Sequence, residues 1–164
     1  MNVMDNFNPL SKKVGFLGNL ESDVRERLID VGIFETKKSG DYLSVQGQAH
    51  NKMSLIISGE VSVKIRANGE SLTVMNLGPS DVVGEMSIID PKKASATARV
   101  ISNSAQLWQI SANEFTDFLL SDQHAGFKVM KELAKILCKR IRLYNEKMLH
   151  HIYDVKSHYL EQDY

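Results

Sequence analysis

The segment from Leu77 to Asp90 contains residues whose types and order suit an anionic, hydroxyl-bearing ligand. A Gly-Pro turn leads into a short apolar strand, and Gly84-Glu85 then opens a helical turn. Free N–H groups at such a turn attract an anion, and glycine lets a ligand approach the backbone closely. The carboxylate of Glu85 accepts hydrogen bonds from hydroxyl groups, so it could hold a sugar diol. The segment therefore indicates a ligand site, with a surface carboxylate at a helix N-terminus as the alternative interpretation of Glu85.

Catalytic chemistry is not indicated by the remaining polar residues. The β region has no Cys/His pair, no Gly-x-Ser-x-Gly elbow and no phosphate loop ending in Gly-Lys-Ser/Thr, so we expect no enzyme activity. A metal-binding cupin is also disfavoured, because His50 is the only histidine among residues 1–123. On a continued C-terminal helix, His150, Asp154 and His158 would share one face and either hold a metal or form a polar tail. We predict no metal site.

Composition limits the class of protein. The chain has 164 residues, 43% of them apolar, with 20 basic and 20 acidic side chains, which suits one domain with an ordinary core. No apolar run approaches the ~20 residues of a membrane helix, and residues 1–13 do not resemble a signal peptide. The single cysteine, Cys138, excludes an intrachain disulfide and favours a reducing cytoplasm. We expect its thiol to be buried or interfacial.

Residues 33–110 alternate short apolar runs with glycine-containing breaks, which positions the Gly84-Glu85 segment in a β structure. The seven strand-length runs are residues 34–37, 42–45, 54–58, 60–66, 72–77, 96–101 and 106–110. Runs spaced ~8–12 residues apart are typical of an all-β sandwich or barrel. Asn68-Gly69, between two of these runs, is the strongest hairpin signal. Trp108 in the last run is expected in the core or as a partly buried surface aromatic.

Helical periodicity flanks the β region. A short helix is predicted near residues 20–30, and Ser111 can cap a second over residues 111–121. A long helix is predicted from about His124 to Leu149, ~39 Å in length. We divide the chain into residues 1–123, a β domain with its helices, and residues 124–164, a long helix and tail.

The long helix combines an apolar seam with basic flanks. Its seam residues are spaced by 3, 4, 4, 3 and 4, close to a heptad repeat. They are Met130, Leu133, Leu137, Ile141, Tyr144 and Met148. We predict a homodimer through this helix, with packing on the chain's own β domain as the alternative. Residues 124–164 carry 8 basic and 5 acidic side chains, so the helix is positive within a neutral chain.

An ordered set of glycines and apolar runs resembles the cyclic nucleotide-binding domain family, of the catabolite activator protein type. The set is Lys38–Leu43, Gly47, Met53–Val61, Gly84-Glu85 and Ala94–Thr97, and the resemblance spans residues ~16–150. It implies a mainly β fold, a double-stranded β-helix (jelly roll or β-roll) of about eight strands. An N-terminal helix and a long C-terminal helix would flank it.

The resemblance also implies a ligand, cyclic AMP or cyclic GMP, and the residues that contact it. These are Gly84, Glu85, Met86, Ser87, Ser95 and Ala96. Glu85 would bind the ribose 2′-hydroxyl, while the amides near it face ribose and phosphate. The Ser95 hydroxyl and the Ala96 amide would contact the cyclic phosphate or base. Family helices at the place of Tyr144 can cap the base, although packing is our first interpretation of that tyrosine.

One position departs from the family pattern. Counting back from Ser95, the family places the arginine that pairs with the phosphate at the position of Ala94. Alanine cannot supply this charge-assisted contact. Lys92 and Lys93 lie just upstream, and a one-residue slip could turn Lys93 inward as a point charge without the bidentate fork.

These observations predict a regulatory, ligand-sensing domain that signals through movement of its C-terminal helices to an unknown output protein. One alternative is a degenerate, dimeric interaction module that binds no nucleotide. Another is a sensor of a different anionic ligand. Only ~14 residues follow His150, too few for a helix-turn-helix domain, so we do not expect this chain alone to bind DNA.

Overall fold

The computed structural model describes residues 15–160, with side chains up to residue 150, and contains two four-stranded antiparallel sheets flanked by helices. The strands described are β1 Ile33–Lys38, β2 Tyr42–Ser44, β3 Lys52–Ser58, β4 Val61–Ala67, β5 Glu70–Leu77, β6 Val82–Val83, β7 Thr97–Val100 and β8 Ser104–Ser111. The helices are α1 Gly15–Gly18, α2 Ser22–Val31, α3 Glu85–Ile89, α4 Ala112–Ser121 and α5 Gln123–Leu160. The first sheet has the order β1-β8-β3-β6 and the second β2-β7-β4-β5. The predicted β-roll with flanking helices is confirmed.

Strand β3 lies between two cores, and its residues Met53–Ile57 are buried without interruption. Successive side chains of a strand point to opposite faces, so both faces of β3 must be covered. Leu55 and Ile57 pack with the helices, whereas Ile56 packs with the second sheet. The first sheet therefore separates a helical layer from the second sheet.

The hairpin between β4 and β5 turns at Asn68-Gly69, as predicted. Both residues have positive φ, +53° and +84°, which a two-residue type I′ turn requires. Ala67 pairs with Glu70 directly across the turn. This hairpin fixes the register of two strands that contribute to the candidate site.

The two C-terminal helices begin near their predicted positions. The Ser111 hydroxyl accepts a hydrogen bond from the Glu114 amide, and the Glu114 carboxylate accepts one from the Ser111 amide, which completes a capping box. Helix α5 has 38 residues and ends at Leu160, beyond the predicted Leu149. The apolar spacing of 4, 3 and 4 continues after Met148 at Ile152, Val155 and Tyr159, and the prediction did not use it.

The apolar seam of α5 divides between two environments. Leu133 is fully buried in the chain's own core, so the prediction that it belongs to a dimer seam is wrong, and Met130 is partly buried against that core. Further along, Ile141 and Met148 are 57% and 60% exposed. The alternative, packing on the β domain, therefore holds for the first turns of the helix.

Trp108 of β8 is 1% exposed and lies in the helical core, as predicted. Its indole N–H donates a hydrogen bond to the carbonyl of Ile29 at 3.0 Å. Gly32 follows helix α2, and a Cβ there would lie 2.4 Å from the indole ring. The tryptophan therefore packs against the end of α2.

Three expectations concern residues outside these cores. Cys138 is exposed on α5, so the expectation of a thiol buried within the chain is wrong. The shared face of His150, Asp154 and His158 lies outside the described side chains. In the described part of the chain, no helix has the length and apolar content needed to cross a membrane.

Candidate functional site

A cavity of about 420 Å³ opens between the second sheet, α3 and α5. Its walls are mostly apolar, and side chains of β4, β5 and β7 form its floor. The apolar lining includes Val63, Ile65, Val74, Met75, Val83, Ala98, Leu137 and Ile141. Pockets of this size and character bind small molecules through an apolar surface and a few placed polar groups.

Gly84 starts the short helix at the edge of this cavity. It has φ +86°, and a Cβ at this position would lie 2.2 Å from the Lys52 carbonyl oxygen and 3.0 Å from Nε2 of His50. Both the backbone conformation and the space therefore require glycine. The turn places Glu85 in the first turn of α3, where the helix dipole favours its negative charge.

Glu85 is 4% exposed, and its carboxylate is paired with an arginine from α5. The distance from Nη1 of Arg140 to Oε1 of Glu85 is 2.5 Å. Nη2 of Arg140 donates a second hydrogen bond, to the carbonyl of Val82 at 2.5 Å. These two contacts join α5 to the β6–α3 segment. Removing either partner of the ion pair would leave a mostly buried charge without its counterion, which is strongly destabilising.

Ala94 is buried in the cavity wall, with its backbone held on both sides. Its N–H donates to the Gln48 carbonyl, and its carbonyl accepts from the Gly47 N–H, both at 2.8 Å. These bonds fix the register of the loop, and Lys93 is exposed and does not line the cavity. The one-residue slip that would turn Lys93 inward is therefore not seen.

Lys92 is also directed away from the cavity. Its ammonium group lies 2.6 Å from the carboxylate of Asp90, and both side chains are well exposed. An exposed pair of this kind contributes little to stability.

The structure brings together seven of the eight predicted site residues. Those that line the cavity are Gly84, Glu85, Met86, Ser87, Ala94, Ser95 and Ala96. Ser87 is buried, whereas Ser95 is exposed, with its hydroxyl 3.9 Å from the sulfur of Met86. Glycine-bounded α3 and the loop before β7 thus form one polar edge of an otherwise apolar cavity.

Three further titratable side chains line the cavity, Asp90, His50 and Tyr144, and the pKa values of the last two are shifted. Burial lowers the pKa of His50. A hydrogen bond with the Lys52 backbone partly opposes this shift, and the nearby Lys52 charge adds to it. Burial also raises the pKa of Tyr144, with the Glu85 charge adding to this and the Arg140 charge opposing it. At neutral pH both groups are uncharged, so they offer hydrogen bonds and ring surfaces to a ligand.

Sequence reasoning missed Arg140 as a site residue. Leu137, Arg140, Ile141 and Tyr144 all line the cavity, because residues three and four apart share one helix face. The sequence contained this signal, an arginine between two seam positions. The direction of that face depends on how α5 is rotated about its axis relative to the β-roll. The apolar periodicity of the sequence does not predict this rotation.

The two antiparallel sheets with their flanking helices define a protein of the β-roll class. Residues 34–122 match the family model for the cyclic nucleotide-binding domain. This match covers more than half of the chain, and the chain therefore belongs to the cyclic nucleotide-binding domain family.

Individual relatives are similar over part of their length. The Pycsar effector protein XpPycTIR of Xanthomonas perforans is 29% identical over 121 residues, which cover 74% of this chain and 39% of that protein. A CRP-like cAMP-activated global transcriptional regulator of Mycobacterium tuberculosis is 28% identical over 110 residues, 66% of this chain and 47% of that protein. The chain thus spans less than half the length of either protein.

A solved cyclic nucleotide-binding domain from Methylobacillus flagellatus has the same fold. Its TM-score to this chain is 0.76 at 23% sequence identity, over 80% of this chain and 74% of that one.

Proposed function

We propose that this chain is a regulatory domain that binds a cyclic nucleotide in the cavity and signals by moving helix α5. The observation that carries the proposal is that one cavity is walled by Gly84-Glu85 on the β-roll and by Arg140 on α5. A ligand that contacts Glu85 must share the carboxylate with this arginine. A ligand shifts the position of the helix only by its differential affinity for the two positions.

Cyclic AMP is the first ligand to test, because one relative is described as cAMP-activated. In this proposal residues 1–123 provide most of the ligand site and α5 closes it with Arg140 and its neighbours. Residues 124–164 carry the response to an output protein in the cytoplasm. No catalytic group is assigned in this role. The alanine at position 94 favours one alternative, a degenerate module that binds no nucleotide and acts through protein contacts.

Calorimetric titration with cyclic AMP and cyclic GMP tests the proposal. We expect micromolar binding of at least one nucleotide by the wild-type chain and weaker binding by Glu85→Gln, because the amide loses a charged hydrogen bond. Such bonds contribute about 1.5–3 kcal/mol, so the expected loss is roughly 10- to 100-fold. Glu60→Gln, the same change at an exposed carboxylate outside the cavity, should bind like wild type. A wild-type chain that binds neither nucleotide would support the degenerate module instead.

We also propose a homodimer through the distal part of α5, where apolar side chains remain exposed. Met148 is 60% exposed and does not line the cavity. We expect Met148→Glu to raise the dimer dissociation constant at least ~10-fold, since each copy would lose a buried apolar contact. Sedimentation velocity at micromolar concentration measures this. Leu149→Glu makes the same kind of change at an exposed apolar residue on the side of the helix away from the seam and is the matched control. A wild-type chain that sediments as a monomer across this range contradicts the dimer.

A further inference from the structure

Ala94 lies in the cavity wall at the position where the family resemblance implies the phosphate-binding arginine. Ala94 is buried there, and its loop is fixed by backbone hydrogen bonds to Gly47 and Gln48. Lys92 and Lys93 do not line the cavity. An anion that enters this cavity therefore meets no cation from the loop that would normally provide one.

Among the described residues that line the cavity, two have basic side chains, His50 and Arg140. His50 is half-buried, and burial disfavours its charged form. An arginine guanidinium stays protonated in proteins. Arg140 is thus the permanent positive charge in the described lining.

The geometry of Arg140 leaves it able to bind a further group. A guanidinium has five N–H donors, and two bonds to described residues are formed, one to Glu85 and one to the carbonyl of Val82. The contact with Glu85 uses Oε1, and a carboxylate has a second oxygen that can accept hydrogen bonds. In this ion pair Glu85 can therefore accept a hydrogen bond from a ligand hydroxyl while the adjacent Arg140 donates to an anion.

We propose that Arg140 is the anion-binding residue of this cavity and replaces, from helix α5, the cation that Ala94 does not supply. The ligand class is a phosphorylated molecule that also carries hydroxyl groups, with a hydroxyl on Glu85 and the phosphate on Arg140. This inference rests on the proposed function, since it names how the same site recognises its ligand. Because the cation lies on α5, the charge of the ligand acts on the helix directly.

The experiment measures cyclic AMP affinity by calorimetry in the full chain. The variants are wild type, Arg140→Gln, Arg140→Lys, Lys139→Gln and the double variant Ala94→Arg/Arg140→Gln. We expect Arg140→Gln to weaken binding at least ~30-fold and Arg140→Lys to weaken it less, because lysine keeps the charge without the planar fork. Lys139, an exposed neighbour that does not line this cavity, serves as the control, and Lys139→Gln should stay within twofold of wild type.

The double variant separates a role in anion binding from a role in positioning the helix. A cation placed at position 94 should recover at least ~10-fold of the affinity lost in Arg140→Gln. If affinity falls in Arg140→Gln and the new arginine recovers none of it, Arg140 acts only through the structure and the proposal is overturned. Where Arg140→Gln does not fold by circular dichroism, the double variant Glu85→Gln/Arg140→Gln replaces it and is compared with Glu85→Gln, since the double variant leaves neither charge of the pair buried alone.

Each remaining result has one meaning. Binding that survives Arg140→Gln undiminished overturns the assignment of Arg140 while leaving the proposed function in place. A wild-type chain that binds no cyclic nucleotide overturns the proposed function and, with it, this assignment.

Discussion

Replacing Gly84 with alanine should lower the free energy of unfolding by more than about 3 kcal/mol. The residue would keep a positive φ, which costs a non-glycine residue about 1–2 kcal/mol. Its Cβ would also lie 2.2 Å from the Lys52 carbonyl oxygen, a backbone atom that cannot move without disturbing β3. For a domain of this size, 3 kcal/mol corresponds to a melting temperature lower by roughly 10 °C.

Gly69 provides the matched control. It has a similar φ, +84°, but a Cβ there would meet no atom within 4 Å. Gly69→Ala should therefore show the backbone cost alone, about 1–2 kcal/mol. Chemical denaturation of both variants measures the difference. Equal losses of stability at the two glycines would show that the contact with Lys52 is relieved without cost.

Replacing Ala94 with arginine should tighten cyclic nucleotide binding by roughly 10- to 100-fold. The side chain at this position faces the cavity, and a charged hydrogen bond contributes about 1.5–3 kcal/mol. The new guanidinium would also offer a bidentate contact to a phosphate. Calorimetric titration of the variant and of wild type measures the gain.

Ala94→Met is the control for this gain. Methionine fills comparable space in the cavity without charge, so it should leave affinity unchanged or weaken it. An arginine variant that binds no better than the methionine variant would show that the phosphate does not reach this wall. If wild type binds no nucleotide and Ala94→Arg does, the alanine is the reason that the natural site is degenerate.

The strands were predictable because each depends on a local pattern. The Asn68-Gly69 turn requires two positive φ values that few residue pairs adopt, and the structure places the turn there. The glycine before Glu85 likewise predicted the start of α3. The resemblance to a family joined these local signals into one β-roll.

The closing wall of the cavity was not predictable by the same means. Arg140 and Glu85 are 55 positions apart in the sequence, and their contact depends on how α5 rotates against the second sheet. An apolar seam fits a second copy of the helix as well as it fits the chain's own core. Leu133 shows the ambiguity, since its spacing suited a dimer and its side chain is buried within one chain.

The burial of Trp108 gives this protein an internal optical reporter. It is the only tryptophan in the sequence, and its indole N–H is bonded to the last turns of α2. Its fluorescence spectrum therefore monitors one defined place, the contact between α2 and β8, which does not line the cavity. A ligand that leaves this emission unchanged while altering a dye attached to the exposed Cys138 would confine its effect to the C-terminal helix. A ligand that shifts both signals would show that the α2–β8 contact and helix α5 respond together.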